Sequence, residues 1–353
     1  MIPVSRPYLD EREEQAVIEV MRSGWIGLGP KTEEFEEKFA KYVGSKYAVA
    51  LNSCTSALHI ACRLLDLKPG DEIIVPTNTF IITAQACQYE GAVPRMCDVR
   101  KDDLLIDWND AIARVTPRTK AFFPVLWAGQ PLDAPDEITL PVIYDCAQSM
   151  GADFDAAGKN CCWSFHAVKN MTTGDGGMFT TDSEEMYERA KKLRWFGINH
   201  STWDRTKGNR SWEYDVGEFG FKYHMNDMEA AMGIVQLSKM EEMQMLRRQH
   251  RQHYISRLEG VVDFIPKAYN SSNYLFVIRV PSGRNELSDY LRSKGIATGV
   301  HHKPIHLYPF YNEYSLPVAE REWQKILSLP MFPGLKESEV DQVCDEVIRF
   351  FRG

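Results

Sequence analysis

Lys169 lies where an amine could do chemistry, between an apolar run and a glycine-rich turn in the segment SFHAVKNMTTGDGGMFTTD, residues 164–182. A lysine held against an apolar surface can lose its proton and act as an amine nucleophile. Most lysines are solvated surface residues. This interpretation of Lys169 therefore depends on whether other residues agree with it.

Upstream of Lys169, an acidic residue ends an apolar run that is typical of a buried strand. The run PVIYD ends in Asp145, and Gln148 follows shortly after. An acid at the carboxyl end of a parallel strand points into the crevice where α/β proteins bind ligands. In a site for pyridoxal 5′-phosphate (PLP), such an acid pairs with the protonated pyridine nitrogen, while a lysine holds the aldehyde as a Schiff base. Asp145 and Lys169 fit those two roles; a loop or cap acid is the alternative for Asp145.

A third segment, LNSCTSALHIA at 51–61, has the pattern of an anion site. A turn of small residues leads into a helix, whose free backbone N–H groups and positive dipole end suit a phosphate. A plain Ser or Thr cap explains the same residue types. Phe80 follows another strand end in PTNTFIITA, where its ring could stack on a flat cofactor or simply pack in the core.

The elements that would position these residues alternate in the pattern of βαβ units. Short apolar runs predict strands at 47–51, 72–76, 93–99, 121–126 and 141–145. Helical patterns are found at 10–23, 32–42, 55–65 and 79–91. Such alternation is typical of a mostly parallel, buried sheet. Two further strands, SFHAV and GGMFTTD, are expected to be antiparallel because a glycine-rich turn separates them.

A long helical stretch begins near Asn226, and we expect it to carry the chain into a second domain. Beyond it, the patterns predict strands at 274–280 and 296–300 and helices at 286–295, 318–328 and 337–351. We therefore expect a large α/β domain at 10–235 and a small α+β domain at 236–353. Residues 1–9 are expected to pack on the small domain.

Length and composition bound the class of protein. The chain has 353 residues, of which 44% are hydrophobic and 25% charged, as in folded soluble proteins of more than one domain. A net charge of −8 without a long basic run argues against a nucleic-acid partner. The N-terminus lacks an apolar signal, and no apolar run is long enough to cross a bilayer. Because none of the eight cysteines forms a C-x-x-C pair, we expect reduced thiols in a cytoplasmic protein.

Together these segments resemble the DegT/DnrJ/EryC1/StrS family of PLP-dependent sugar aminotransferases. The resemblance extends over nearly the whole chain and is carried by SGWIGLGP, ALNSCTSALHIA, VPTNTFIITA, YDCAQS, SFHAVKNMTTGDGG, LRWFGI, GFKYHMNDMEAAMGIVQL and GIATGVHHKPIHLYPFY. It implies the α/β architecture of fold type I PLP-dependent transferases. Such a chain has a mostly parallel seven-stranded mixed sheet flanked by helices, plus a smaller α+β C-terminal domain. The resemblance also implies a homodimer with active sites at the subunit interface.

The family pattern assigns roles to residues of this chain. It implies that Lys169 is the catalytic Schiff-base lysine and proton carrier, and that Asp145 pairs with the pyridinium nitrogen. The other implied cofactor contacts are Gln148 at the ring or its 3-hydroxyl, Phe80 on the opposite face, and Cys54, Thr55 and Ser164 at the phosphate. Lys222, where the family often has Asn, is implied to reach the phosphate held by the partner subunit.

Besides Lys222, two positions depart from the family pattern. His224 stands where many members carry Arg, so the contacts of that Arg with pyrophosphate or hydroxyl groups do not carry over. His302 replaces a common aromatic residue. We expect Trp25, His301 and His302 to line the substrate site. We expect no metal, because no acid or Cys accompanies the three His of VHHKPIH.

The resemblance implies a reaction in two halves. An amino acid, expected to be L-glutamate, gives its amino group to the cofactor, and a nucleotide-linked keto-sugar then receives it. The lysine segment is more similar to members that aminate C4 of 4-keto-6-deoxyhexoses than to members that act at C3. Candidate partners for the diphosphate are Lys31, Arg194, Lys222 and Lys303.

Several alternatives stay open. Sugar dehydratases of the family carry His at the lysine position, which Lys169 opposes. A 3-keto sugar or a cyclitol ketone would change only the acceptor, and a non-catalytic regulatory protein would keep only the fold. A dinucleotide oxidoreductase is disfavoured, because Gly27 and Gly29 follow a helix and the third glycine of its fingerprint is absent.

Overall fold

A computed structural model of the chain describes residues 1–199, 203, 212–266 and 269–352. The elements up to the end of the main sheet are α1 (Glu11–Ser23), α2 (Pro30–Val43), β1 (Tyr47–Leu51), α3 (Cys54–Leu64), β2 (Glu72–Pro76), α4 (Ile82–Gln88), β3 (Val93–Cys97), α5 (Trp108–Ala113), β4 (Thr119–Phe122), β5 (Ile143–Asp145), β6 (Asn160–Ser164) and β7 (Gly177–Thr181). The later elements are α6 (Glu184–Leu193), α7 (Asp227–Ser238), α8 (Met240–Leu258), β8 (Asp263–Ile265), β9 (Phe276–Arg279), α9 (Arg284–Ser293), α10 (Pro317–Trp323), β10 (Ile326–Leu329) and α11 (Glu337–Arg352).

Strands β1 to β7 form the main sheet. The ladders give the orders β3-β2-β4 and β5-β6-β7-β1, and the parallel bridges Phe122–Val142 and Val125–Asp145 join β4 to β5. Within the described residues, β7 alone runs antiparallel to its neighbours β6 and β1. The prediction of a mostly parallel, seven-stranded mixed sheet is therefore confirmed.

Apolar side chains explain why these segments pack as they do. Strand β2, EIIVP, is buried along its whole length, as expected of a central parallel strand covered on both faces. Helix α2 buries Phe35 and Phe39, whose rings meet Phe165 at 5.4 and 5.3 Å. Burying one such side chain contributes about 1.5–3 kcal/mol. This packing places the start of the lysine turn against α2.

A second layer follows the main sheet. Strands β8, β9 and β10 form an antiparallel sheet in the order β10-β9-β8. Its buried side chains form a cluster with those of α8, α9 and α11, and Ile2 belongs to the same cluster. The N-terminal residues are tied to this layer, since the backbone N–H of Ile2 donates to Gly295 (2.7 Å) and that of Met331 donates to Val4 (3.0 Å).

The region 318–328 was predicted as one helix, and this prediction was wrong. Helix α10 ends at Trp323, and the apolar run ILSL forms strand β10, in which Ile326 pairs with Arg279. A short apolar run has no periodicity of its own, so its long-range partner decides between helix and strand. The strand predicted at 296–300 is also wrong, because that segment forms only isolated bridges at Ile296 and Gly299.

Two further boundaries differ from the sequence predictions. The stretch from Asn226 breaks at Lys239, whose buried ammonium lies 2.6 Å from a Glu13 carboxylate oxygen. The strand predicted to begin at Ser164 ends there, because the chain turns away from the sheet to form the loop that carries Lys169. Within the described residues, no helix is both long and apolar enough to span a membrane.

Candidate active site

The carboxyl ends of the parallel strands bring the predicted residues to one edge of the main sheet. Asp145 ends β5, Ser164 ends β6, and Phe80 follows the end of β2. Strand β1 runs in the same direction as β6, because both are antiparallel to β7, and it leads into Cys54 at the start of α3. This is the edge at which open α/β sheets bind ligands.

Asp145 is a buried carboxyl group with two hydrogen-bond donors. The Thr83 hydroxyl donates to Oδ2 (2.7 Å), and the backbone N–H of Ala147 donates to Oδ1 (3.1 Å). Burial raises the pKa of this carboxyl, while the two donors and the charge of Lys169 act in the opposite direction. A protonated ring nitrogen placed beside Asp145 would compensate its burial further.

Lys169 lies on the loop between β6 and β7, and its Nζ is 4.9 Å from the centre of the Tyr274 ring. Tyr274 is buried and comes from the segment that precedes β9. The charge of Lys169 acts on the pKa values of Asp145, Cys54 and His302, lowering each. The amine therefore lies within electrostatic reach of residues from three separate segments.

The start of α3 lies close against β7. Ser53 caps the helix by accepting a backbone N–H of its first turn (3.1 Å). A Cβ on Gly177 would come within 2.3 Å of Ser53 and 2.4 Å of Cys54 backbone atoms, so this approach requires glycine. Thr55 is half-buried in the first turn, and the buried Ser164 pairs with Gly177. The free N–H groups and two hydroxyls form a cradle suited to a phosphate.

Gln148 is buried and held at two points. Its Oε1 accepts the backbone N–H of Ala128 (2.7 Å), and its carbonyl oxygen accepts the Ser272 hydroxyl (2.7 Å). Gly129, with a φ of 75°, permits this approach, because a Cβ there would lie 1.8 Å from the Ser272 hydroxyl oxygen. The backbone donor at Ala128 therefore orients the side-chain amide of Gln148.

Phe80 and His302 line a cleft, and the ring centre of His301 is 5.3 Å from that of His302. Phe80 is 60% exposed, and its ring centre is 5.7 Å from that of His302. Burial, followed by the charge of Lys169, lowers the pKa of His301 to about 4; burial, His301 and Lys169 lower that of His302 to about 3. Both imidazoles are therefore neutral near pH 7. The adjoining cleft, of about 640 Å³, is also lined by Arg284, Lys303, Tyr308, Phe310 and Trp323.

Two of the predicted residues, Lys222 and Trp25, lie apart from the residues at the carboxyl edge of the main sheet. Lys222 is exposed, on a segment that bridges to Trp195. Trp25 donates through Nε1 to the Leu28 carbonyl (3.1 Å), and its ring meets that of Trp203 edge-on. Among the described residues, neither Lys222 nor Trp25 is hydrogen-bonded to another predicted site residue.

His224 and Arg194, two basic residues singled out from the sequence, are both held by neighbouring side chains. His224 meets the Trp195 ring edge-on, and burial, with Arg194 and Lys222, lowers its pKa to about 4, so it does not replace the charge of an Arg. Arg194 is buried, forms an ion pair with Glu36 and donates to the Ala50 carbonyl (3.0 Å). This commitment inside the fold corrects the prediction of Arg194 as a diphosphate partner.

The sequence analysis did not identify three residues that the structure places in the site. Thr83 was detectable in principle, because it lies on the first turn of α4, one helical turn after Phe80. Asn78, whose Oδ1 faces the backbone N–H of His302 at 3.4 Å, lies in the same motif. Tyr274 had no local signal, since only tertiary packing brings it to Lys169.

The side chains present fit PLP. The cradle at the start of α3 suits its phosphate, the buried Asp145 suits a protonated ring nitrogen, and the amine of Lys169 suits its aldehyde. The three groups come from one edge of one sheet. The donor set alone thus matches the chemistry of this cofactor.

Comparisons with known proteins give a consistent result. Residues 7–348 match the DegT/DnrJ/EryC1/StrS aminotransferase family. The chain is 36% identical to the uncharacterized protein MJ1066 of Methanocaldococcus jannaschii, over 98% of this chain and 96% of that protein. It is 34% identical to the spore coat polysaccharide biosynthesis protein SpsC of Bacillus subtilis, over 100% of this chain and 97% of SpsC.

A solved structure matches over the whole fold. Spr1654 of Streptococcus pneumoniae, whose assigned role is sugar aminotransferase, is 29% identical in its PMP form and superposes with a TM-score of 0.92. The match covers 99% of this chain and 98% of that one. The PLP form of the same protein gives a TM-score of 0.90.

Proposed function

Because the chain belongs to the DegT/DnrJ/EryC1/StrS aminotransferase family, we propose that it moves an amino group from L-glutamate to the keto carbon of a nucleotide-linked sugar. The chain is a PLP-dependent sugar aminotransferase. We assign the acceptor as a 4-keto-6-deoxyhexose aminated at C4, for amino-sugar biosynthesis. The observation that carries the proposal is the placement of Lys169 and the buried Asp145 at one sheet edge, beside the cradle of α3.

Each residue at this edge has a defined task. When bound, PLP supplies an electrophilic aldehyde and an electron-withdrawing ring. Lys169 would bind the aldehyde carbon through Nζ. It would also carry a proton between that carbon and the substrate carbon that bears the amino group. Asp145 would keep the proton on the ring nitrogen, with Thr83 and Ala147 orienting its carboxylate. Gln148 and Phe80 would hold the two sides of the ring.

The phosphate would be held by the start of α3. The backbone N–H of Cys54 and the hydroxyls of Thr55 and Ser164 are the donors of the chain itself. We propose that Lys222 of the partner subunit adds a positive charge to this cradle. Lys222 is exposed in the single chain. A residue that contacts a partner subunit is expected to be exposed when its own subunit is considered alone.

Apolar exposure near Lys222 supports a homodimer. Phe219, Trp212 and Val216 are 92%, 73% and 60% exposed and belong to the same segment of the chain as Lys222. Large exposed apolar side chains that are close together typically mark an interface. We propose that this segment packs on a second copy of the chain, so that the active sites are shared.

The cleft beside Phe80 and His302 suits a bulky acceptor. Its volume of about 640 Å³ is within the usual range for sites that bind small molecules. Its aromatic walls suit sugar and base rings, and Lys303, which lies over the Tyr308 ring at 4.7 Å, offers charge for a diphosphate. We place the sugar between His301, His302 and the lysine loop, with Trp25 and Lys31 as further substrate contacts.

The alternatives differ in the acceptor or in the chemistry. A 3-keto sugar or a cyclitol ketone would use the same residues and the same donor. A regulatory protein without catalysis would not require Lys169 beside a buried acid. The eight cysteines are all free and buried, which agrees with the proposed cytoplasmic setting of the enzyme.

The first test is the visible absorbance of the protein with PLP, before and after L-glutamate, in wild type and Lys169→Ala. We expect a band in wild type that fades when glutamate is added, and its absence in Lys169→Ala incubated with PLP alone. A panel of 4-keto sugar nucleotides, 3-keto sugar nucleotides and cyclitol ketones then identifies the acceptor. A wild-type protein without the band at saturating PLP would overturn the proposal.

A further inference from the structure

We propose that His302 is a positioning residue that accepts a hydrogen bond from the side-chain amide of Gln148 and so holds that amide against the cofactor ring. This inference rests on the proposed function, because it takes Gln148 as a ring contact. The inference goes beyond the proposed function, because it gives a task to His302, at a position where the family commonly has an aromatic residue.

The orientation of the Gln148 amide follows from its partners. The backbone N–H of Ala128 can only donate, so the atom that it contacts at 2.7 Å must be the carbonyl oxygen of the Gln148 side chain. The amide nitrogen then faces Nε2 of His302 at 3.5 Å. An amide nitrogen can only donate, so Nε2 of His302 must accept and carry no hydrogen. The ring proton of His302 therefore belongs on Nδ1.

The surroundings of His302 keep it in that form. Burial, together with nearby His301 and Lys169, holds its pKa near 3, so the ring stays neutral and Nε2 keeps its lone pair. The second hydrogen of the Gln148 amide nitrogen is left for another acceptor. An oxygen on the cofactor ring is an acceptor of the required kind.

The position of the imidazole is itself determined by neighbouring groups. The backbone N–H of His302 faces Oδ1 of Asn78 at 3.4 Å, and the ring packs against Phe80 at 5.7 Å and His301 at 5.3 Å. Asn78 is buried. His302 thus links the end of β2, which supplies Asn78 and Phe80, to the segment after β5, which supplies Gln148.

A phenyl ring at this position would keep the packing but offer no in-plane acceptor. Gln148 would then be fixed only through its oxygen, and its nitrogen would be free to move. This difference separates the positioning role from simple filling of space. It predicts that His302→Phe and His302→Gln behave differently, because the Gln side chain retains an acceptor.

The experiment is a double-mutant cycle read by PLP affinity, measured by titrating PLP into apoprotein and following the visible absorbance. One lost hydrogen bond corresponds to about a three- to tenfold change in affinity. We expect His302→Phe to weaken PLP binding by that factor and His302→Gln by less than about twofold. In the Gln148→Ala background, His302→Phe should have no further effect. Additive effects, or equal affinities for the Phe and wild-type proteins, would overturn the inference.

A second readout does not depend on cofactor affinity. In protein labelled with ¹⁵N-histidine, the signal assigned to His302 by its loss in His302→Gln should show an unprotonated Nε2 at pH 7. That signal should shift in Gln148→Ala. A protonated Nε2 contradicts the inference whatever the affinities are. If wild type binds no PLP, the proposed function fails; if wild type binds PLP and reacts with glutamate but the cycle is additive, only the role of His302 fails.

Discussion

The hydroxyl of Thr83 donates a 2.7 Å hydrogen bond to Oδ2 of Asp145 and so ties the first turn of α4 to the end of β5. Because an ionised carboxylate only accepts, Thr83 uses its single hydroxyl proton there. The Thr79 hydroxyl, 2.8 Å from that of Thr83, then donates to Thr83. A chain of hydroxyl groups thus orients the carboxylate that we assign to the ring nitrogen.

Replacing Thr83 by Val keeps the shape of the side chain and removes this donor. A hydrogen bond to a charged group contributes about 1.5–3 kcal/mol, so we expect PLP affinity to fall by about tenfold to hundredfold. Titration of apoprotein with PLP measures the change. Thr83→Ser, which retains the hydroxyl, is the control and should bind close to wild type. Equal affinities for Thr83→Val and Thr83→Ser would show that the contact does not support the site.

Replacing Gly177 by Ala should disrupt the phosphate cradle. The new Cβ would lie 2.3–2.4 Å from the backbone of Ser53 and Cys54, so the start of α3 must move away from β7. Such overpacking costs about 1–3 kcal/mol, and we expect PLP affinity to fall by tenfold or more. Gly334→Ala is a matched control, because its Cβ would meet only Tyr8, at 3.9 Å. Unchanged PLP binding in Gly177→Ala would place the phosphate elsewhere.

Replacing Arg194 by Met should reduce stability rather than substrate affinity. Glu36 is buried, and without Arg194 the one donor left to its charge among the described residues would be the backbone N–H of Ala50 (2.7 Å). Breaking a buried pair from one side costs about 3–5 kcal/mol in the free energy of unfolding. Urea unfolding should show this loss, and the added exchange Glu36→Gln should recover part of it. A normal stability with a raised KM for the sugar nucleotide would instead favour a role in binding the diphosphate.

The stability of the protein should decrease in acid partly through His224. The pKa of His224 is about 4 in the folded chain, below the value of about 6.5 in an unfolded one. The contribution of neutral His224 to the free energy of unfolding is therefore complete above pH 6.5 and is lost as the pH falls toward 4. Because the ring is only partly buried and solvent screens part of this effect, the loss between pH 7 and pH 5 amounts to about 1 kcal/mol.

The variant His224→Phe tests this dependence, because it keeps the edge contact with Trp195 and removes the titrating group. Its free energy of unfolding in urea should fall less between pH 7 and pH 5 than that of wild type. Parallel pH profiles for the two proteins would contradict the assignment. A wild-type stability that rises relative to that of His224→Phe as the pH falls would have the wrong sign.

Local patterns predicted the elements whose signals lie within a few residues. Strand β1 and strand β2 have the predicted bounds, and α1 lies between its N-terminal cap Asp10 and its C-terminal cap Gly24. The motifs around Asp145 and Lys169 were also readable, because the chemistry of a buried acid and an activated amine restricts the residue types. Thr83 was overlooked within a motif that had already been singled out.

Structural features that depend on contacts with distant segments could not be predicted from the sequence. The run ILSL is a strand because β9 is beside it, and the helix after Asn226 breaks where the buried Lys239 meets Asp10 and Glu13 from the other end of the chain. Tyr274 reaches Lys169 by the same kind of long-range packing.

The sequence by itself thus determined the class of the fold and the succession of strands and helices along the main sheet, and it predicted the lysine and the acid, because alternating apolar patterns and motif chemistry are local properties. Only the tertiary structure decided which groups surround them. Arg194 is drawn into an ion pair with Glu36, and His302 is brought to Gln148 across 154 positions of the chain. The physical reason is that burial, charge pairing and hydrogen-bond geometry depend on contacts between distant segments, which exist only once the chain has packed.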